Sequence, residues 1–100
     1  MKEDIFNQYV DRVISLFGIT KEEFFLKSRK RNLVDARYLV YYLCSERPIQ
    51  ASYIQNFMKN NNYETDHTLI LHGIKVTKEK VKEDRDYQSI IKEIDNAVFI

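Results

Sequence analysis

Residues 66–73 read Asp-His-Thr-Leu-Ile-Leu-His-Gly. Asp66 is of the type that caps a helix, its carboxylate accepting from backbone N–H groups left free in the first turn. His67 and Thr68 then fall at the exposed tip. Ile70, Leu71 and Ile74 follow at the spacing that faces a core. A polar tip on an apolar body is the layout of a helix that reads duplex DNA, because such helices put their N-terminal residues against base edges. A hydroxyl or an imidazole can hydrogen-bond a base edge. The methyl groups of Thr68 and Leu69 suit the methyl of thymine. An ordinary capped helix explains the same residues without DNA.

A second group lies upstream. Lys27, Arg29, Lys30, Arg31 and Arg37 stand against the single anion Asp35, a local charge of +4 in eleven residues of a chain whose net charge is only +1. Arginine donates in a planar fork to phosphate and tolerates a narrow minor groove. A solvated basic loop is the alternative reading. Other chemistries find no support. His67 and His72 are five residues apart and do not share a helix face, and Cys44 falls on an apolar stripe. No metal site, nucleophile–base pair or G-x-x-x-x-G-K-[ST] loop is legible, with Gly18 and Gly73 the only glycines. The chain is therefore expected to be no enzyme, with no cofactor and no small-molecule substrate. His72 is expected to be packed and hydrogen-bonded, and Cys44 a small core residue.

These residues need helices to position them. Two glycines and one proline in 100 residues are too little punctuation for an all-β chain. Helical stripes recur: Phe6, Tyr9, Val10, Val13, Ile14 and Phe17 within Asp4 to Phe17, ended by Gly18. Thr20 and Glu23 form a capping-box pattern opening a short helix that carries Phe24, Phe25 and Leu26 inward. Lys27 to Asn32 reads as a loop. A helix from about Leu33 to Glu46 buries Ala36, Leu39, Val40, Leu43 and Cys44, with Asp35, Arg37, Tyr38, Tyr41 and Tyr42 off that stripe. Arg47-Pro48 ends it. Ser52 to Lys59 is a helix stopped by three asparagines. The helix at Asp66 runs to about Lys82, with a weak spot at Val76-Thr77. Tyr87, Ile90, Ile91, Ile94 and Val98 define the last. The expected architecture is one all-α domain over 1–100, a compact bundle of about six helices containing a helix-turn-helix. Its turn, from Asn60 to Asp66, exceeds the usual three or four residues.

Three segments in order resemble one family. Val13 to Ile19 is similar to its Val-x-x-Tyr-Tyr-x-Ile run, Lys27 to Tyr38 to its basic loop K-R-R-S-R-S-V-A-R-P-R-Q, and Asp66 to Gly73 to its signature D-H-T-T-V-L-H-A. The family is the C-terminal DNA-binding domain of the bacterial chromosomal replication initiator DnaA. The resemblance implies double-stranded DNA binding by a helix-turn-helix. It puts Arg29 in the minor groove and Arg37 on phosphate, while Asp66, His67 and Thr68 read bases in the major groove. The chain departs from the pattern at Asp35, Ala36, Thr65 and Leu69 and in its longer turn, so a target different from the family's standard site is expected.

The resulting expectation is sequence-selective DNA binding in replication control or transcription regulation. A replication initiator or other protein is the expected partner besides DNA, recruited or competed with. A protein-interaction module that keeps the fold without binding DNA is the alternative. No apolar run is long enough for a signal peptide or a membrane span, so the expected location is cytoplasmic, in a bacterial nucleoid or a phage-infected host. A phage or mobile-element origin suits a module without an ATPase part.

Overall fold

A computed structural model describes residues 1–98, so the end of the expected 1–100 domain lies outside the described residues. Among the described residues there are six helices and no strand: α1 Lys2–Phe17, α2 Lys21–Phe24, α3 Arg31–Ser45, α4 Ala51–Asn60, α5 His67–Glu83 and α6 Arg85–Ala97. Their boundaries follow local chemistry. Gly18 ends α1 with φ 66°, the left-handed geometry that glycine adopts without a Cβ penalty. The Glu23 N–H donates to Thr20 Oγ1 at 3.1 Å and the Thr20 N–H to Glu23 Oε1 at 2.8 Å, a complete capping box. Asn62, at φ 64°, turns the chain after α4.

The core is organised around α3. Leu33, Ala36, Leu39, Val40, Leu43 and Cys44 are buried, and so are Arg37, Tyr41 and Tyr42. The expectation that these last three lie off the buried stripe is corrected. A single apolar stripe describes a helix lying on a surface, but α3 packs against α1, α2, α4 and α5. A helix covered on several sides buries more than one stripe. α1 offers it Phe6, Tyr9, Val10 and Val13, and α4 adds Ile54, Phe57 and Met58.

Two other expectations change. Leu26 is 57% exposed and Leu71 is 50% exposed; neither enters the core. α2 ends at Phe24, so Leu26 has already left the helical register that buries Phe24. Leu71 lies beside the inward positions Ile70 and Gly73 of α5 but one residue out of phase with them. The suspected break at Val76-Thr77 is absent: α5 is continuous, and Thr77 is buried in it. No helix of the described residues is long and apolar enough to cross a membrane.

α6 is tied back to the bundle by a polar network. The Tyr9 hydroxyl donates to Asp95 Oδ1 at 2.8 Å and accepts from Arg47 Nε. Arg47 Nη2 also lies 3.8 Å from Asp95. Burial is the main cause that pushes the Tyr9 hydroxyl up from 10.0 to about 12, and burial pushes the Cys44 thiol up from 9.0 to about 12. Both groups have folded values above their unfolded ones, and both are neutral in the protonated form. Their contribution to stability is thus complete below about pH 9 and is lost as pH rises toward 12. Urea midpoints should fall steeply over that interval. Tyr9→Phe should cost about 1–2 kcal/mol at pH 7 and make the alkaline fall shallower.

Candidate nucleic-acid interface

The segment between α2 and α3 is folded around one side chain. Arg37 projects from α3 and is only 3% exposed. Its Nε donates to the carbonyl of Phe24 at 2.7 Å, Nη1 to that of Ser28 at 3.0 Å, and Nη2 to that of Leu26. Three alternate carbonyls of 24–28 therefore converge on one guanidinium. Helix ends leave carbonyls without intrahelical partners, and a rigid fork of donors is suited to collect them. The opening of α3 then places Arg31 in its first turn rather than in the loop.

Tyr63 links this loop to the turn before α5. The Arg37 guanidinium lies 4.9 Å from its ring centroid and Lys27 Nζ lies 4.5 Å from it. Lys27 Nζ also donates to the Glu64 carbonyl. From the α4 side, Gln55 Nε2 donates to the Thr65 carbonyl at 3.1 Å. The turn is thus held on both flanks. Sequence reasoning missed Tyr63; the available signal was an aromatic residue in an otherwise polar turn of asparagines and a glutamate.

α5 begins where the sequence places it. Asp66 Oδ1 accepts from the Leu69 N–H at 2.8 Å, and His67, Thr68 and Leu69 are exposed beyond the cap. His72 is exposed as well, its ring edge-on to Tyr38 with centroids 6.0 Å apart; the expectation of a packed, hydrogen-bonded histidine is corrected. Gly73 brings α5 down on α3. A Cβ built there would meet Tyr38 Cδ1 at 2.6 Å, too near for any side chain without displacing the ring.

The result is a groove of about 620 Å³ between the basic loop and α5. Lys27, Arg29 and Arg37 line it together with Thr65, Leu69 and His72, and Tyr38 and Tyr63 are among the other lining residues. Arg29, Lys30 and Arg31 are exposed, and among the described residues their side chains make no hydrogen bond or ion pair. Of the nine residues read from the sequence as DNA contacts, Lys27, Arg29, Lys30, Arg31, Asp66, His67, Thr68 and Leu69 are all exposed, and Lys27, Arg29 and Leu69 among them line this groove. Arg37 is the exception. It lines the groove, but its guanidinium is held by three carbonyls and lies against Tyr63, so it shapes the loop that carries the other cations.

No family model matches the chain. Similar proteins do. Chromosomal replication initiator proteins DnaA align with 34% identity in Nautilia profundicola, over 84% of this chain, and with 31% identity in Bacteroides thetaiotaomicron, over 82%. That of Aquifex aeolicus is 25% identical over 92% of it. The chain is DnaA-like, and similar to the C-terminal domain of that family. It spans 19%, 17% and 22% of the lengths of these three relatives, about a fifth.

Within the DnaA-like chain, one departure from the family pattern has a visible use. Asp35, which stands where the family has an arginine, accepts from Lys80 Nζ of α5 at 3.3 Å. The acid joins the back of α5 to α3 instead of adding to the basic loop. The assignment of Arg37 has a direct check in protein without DNA. Arg37→Lys keeps a charge but loses the fork, leaving carbonyls of 24–28 unpaired, and should cost at least about 2 kcal/mol in urea denaturation. Arg29→Ala should stay within about 0.5 kcal/mol of wild type, as expected for an exposed residue with no partner.

Proposed function

We propose that the chain binds double-stranded DNA as a helix-turn-helix module, with α4 and α5 as its two helices, in replication control or transcription regulation. The observation that carries this reading is the shared groove. A guanidinium and a tyrosine ring hold the basic loop near the start of α5, so Lys27 and Arg29 line one groove with Leu69 and His72. A phosphodiester strand fits such a groove: cations hold phosphate, and the tip of the helix reaches base edges. The likeness to replication initiators supports the same reading at family level. In it, Arg29 enters the minor groove, Lys30 and Arg31 hold phosphate, and His67, Thr68 and Leu69 face bases. Asp66 acts first as the cap that orients them. A replication initiator is the protein partner this reading favours, and no catalysis is part of it.

The burial of Arg37 and the use of Asp35 as an anchor favour a second reading, a protein-interaction module, because both reduce the positive charge offered to DNA. Fluorescence anisotropy on duplex DNA between about 50 and 200 mM salt separates the two. DNA binding requires log affinity to fall linearly with log salt, by about 0.9 per neutralised phosphate. Joint replacement of Arg29, Lys30 and Arg31 by alanine should flatten that slope by roughly two to three units. No binding to any duplex at the lowest salt would leave the protein-interaction reading. Selection from a random duplex pool should return different preferred bases for wild type, His67→Ala and Leu69→Thr, with each good contact worth about 1–3 kcal/mol of discrimination. Identical selected sites from all three would show that α5 does not read sequence.

A further inference from the structure

α5 continues well past the groove, and its outer face is not random. Thr68, Leu71, Lys75, Lys78 and Lys82 follow one another at spacings of three, four, three and four residues, the repeat that keeps side chains on one face of a helix. All five are exposed. Ile70, Gly73 and Thr77, which are buried, define the opposite side against α3. The helix carries a further lysine, Lys80, and only that one has an anionic partner, Asp35. Lys75, Lys78 and Lys82 form no ion pair among the described residues, although Glu79 and Glu83 are on the same helix. The lysines are thus sorted: the one that faces α3 is neutralised, and the three that share the face of Thr68 are not.

We infer that Lys75, Lys78 and Lys82 form a second phosphate track, which extends the contact with duplex DNA beyond the groove along the body of α5. The inference rests on the DNA-binding reading above and deepens it. Its physical basis is continuity and charge. The track begins at Thr68, the residue placed at the base edges, and runs away from it in line. At 1.5 Å rise per residue, Lys75 to Lys82 covers about 10 Å, comparable with the rise of about three base pairs at 3.4 Å each. A flexible ammonium on a four-carbon stem suits phosphate oxygens as a point charge, without the geometry that base reading demands. The track should therefore add affinity without adding sequence preference. The loop cations and the α5 lysines lie toward opposite ends of this helix, so a duplex reaching both must be longer than one covering the groove alone.

The test compares wild type with a variant in which Lys75, Lys78 and Lys82 are all glutamine. Glutamine retains helix propensity, and an unchanged far-ultraviolet spectrum and thermal midpoint confirm that the fold is kept. In anisotropy titrations on the selected duplex, the salt slope of the variant should be flatter by roughly two to three units, with affinity reduced at least tenfold at low salt. The bases selected from a random pool should stay the same as for wild type. Shortening the duplex on one side of the selected site should weaken wild type more than the variant. A variant with the wild-type salt slope would overturn the inference while leaving the DNA-binding reading standing. A change in the selected bases would also overturn it, since the lysines would then belong to the base-reading surface. Wild type that binds no duplex at all would instead remove the reading on which the inference rests.

Discussion

The Arg37 guanidinium is the constraint on which the functional face depends. It is a charge almost wholly removed from water, which is costly unless its donors are satisfied. Three carbonyls from 24–28 satisfy them, and an aromatic face lies against it. In exchange, the loop backbone is wrapped about a fixed point on the central helix. Every cation the loop exposes is thereby referred to α3. Since α5 packs on the same helix through Ile70 and Gly73, the loop and the tip of α5 share one rigid reference.

Charge in this chain is divided between structural and surface uses, and the division is not visible from its sign. Arg37, Arg47 and Lys80 hold the fold together: one gathers a loop, one joins Tyr9 and Asp95, one meets Asp35. Arg29, Lys30 and Arg31 are left to solvent or a ligand. A net charge of +1 would suggest little affinity for a polyanion. The arrangement tells more, because these structural cations are held by carbonyls and carboxylates of the fold, while Arg29, Lys30 and Arg31 stay exposed together in one short segment.

Apolar groups also take two roles on α5. Ile70 is fully buried while Leu69 and Leu71 on either side are each half exposed. Leu69 lines the groove, while Leu71 faces solvent on the outer side of α5. Gly73 sets how near α5 lies to α3, and the ring of Tyr38 fills the space a larger residue would need.

The sequence by itself determined the order of about six helices, the Gly18 turn, the asparagine stop after α4, the Thr20–Glu23 box and the Asp66 cap. These depend on residues within a few positions of one another, so local spacing and side-chain chemistry are enough to specify them. The exposed positions of His67 and Thr68 follow from the same local logic. Only the tertiary structure decided which charges are buried and which aromatic residues hold the site. Arg37 and Arg29 are chemically alike, and although one falls on a helix and the other in a loop, local spacing puts both toward solvent. The difference arises because α1, α2, α4 and α5 all close on α3, so a position that a lone helix would show to water faces three carbonyls and Tyr63 instead. Tyr63, Gly73 and the Asp35–Lys80 pair act across 26 to 45 residues of chain. Their partners are chosen by packing in three dimensions, where a one-dimensional stripe carries no information.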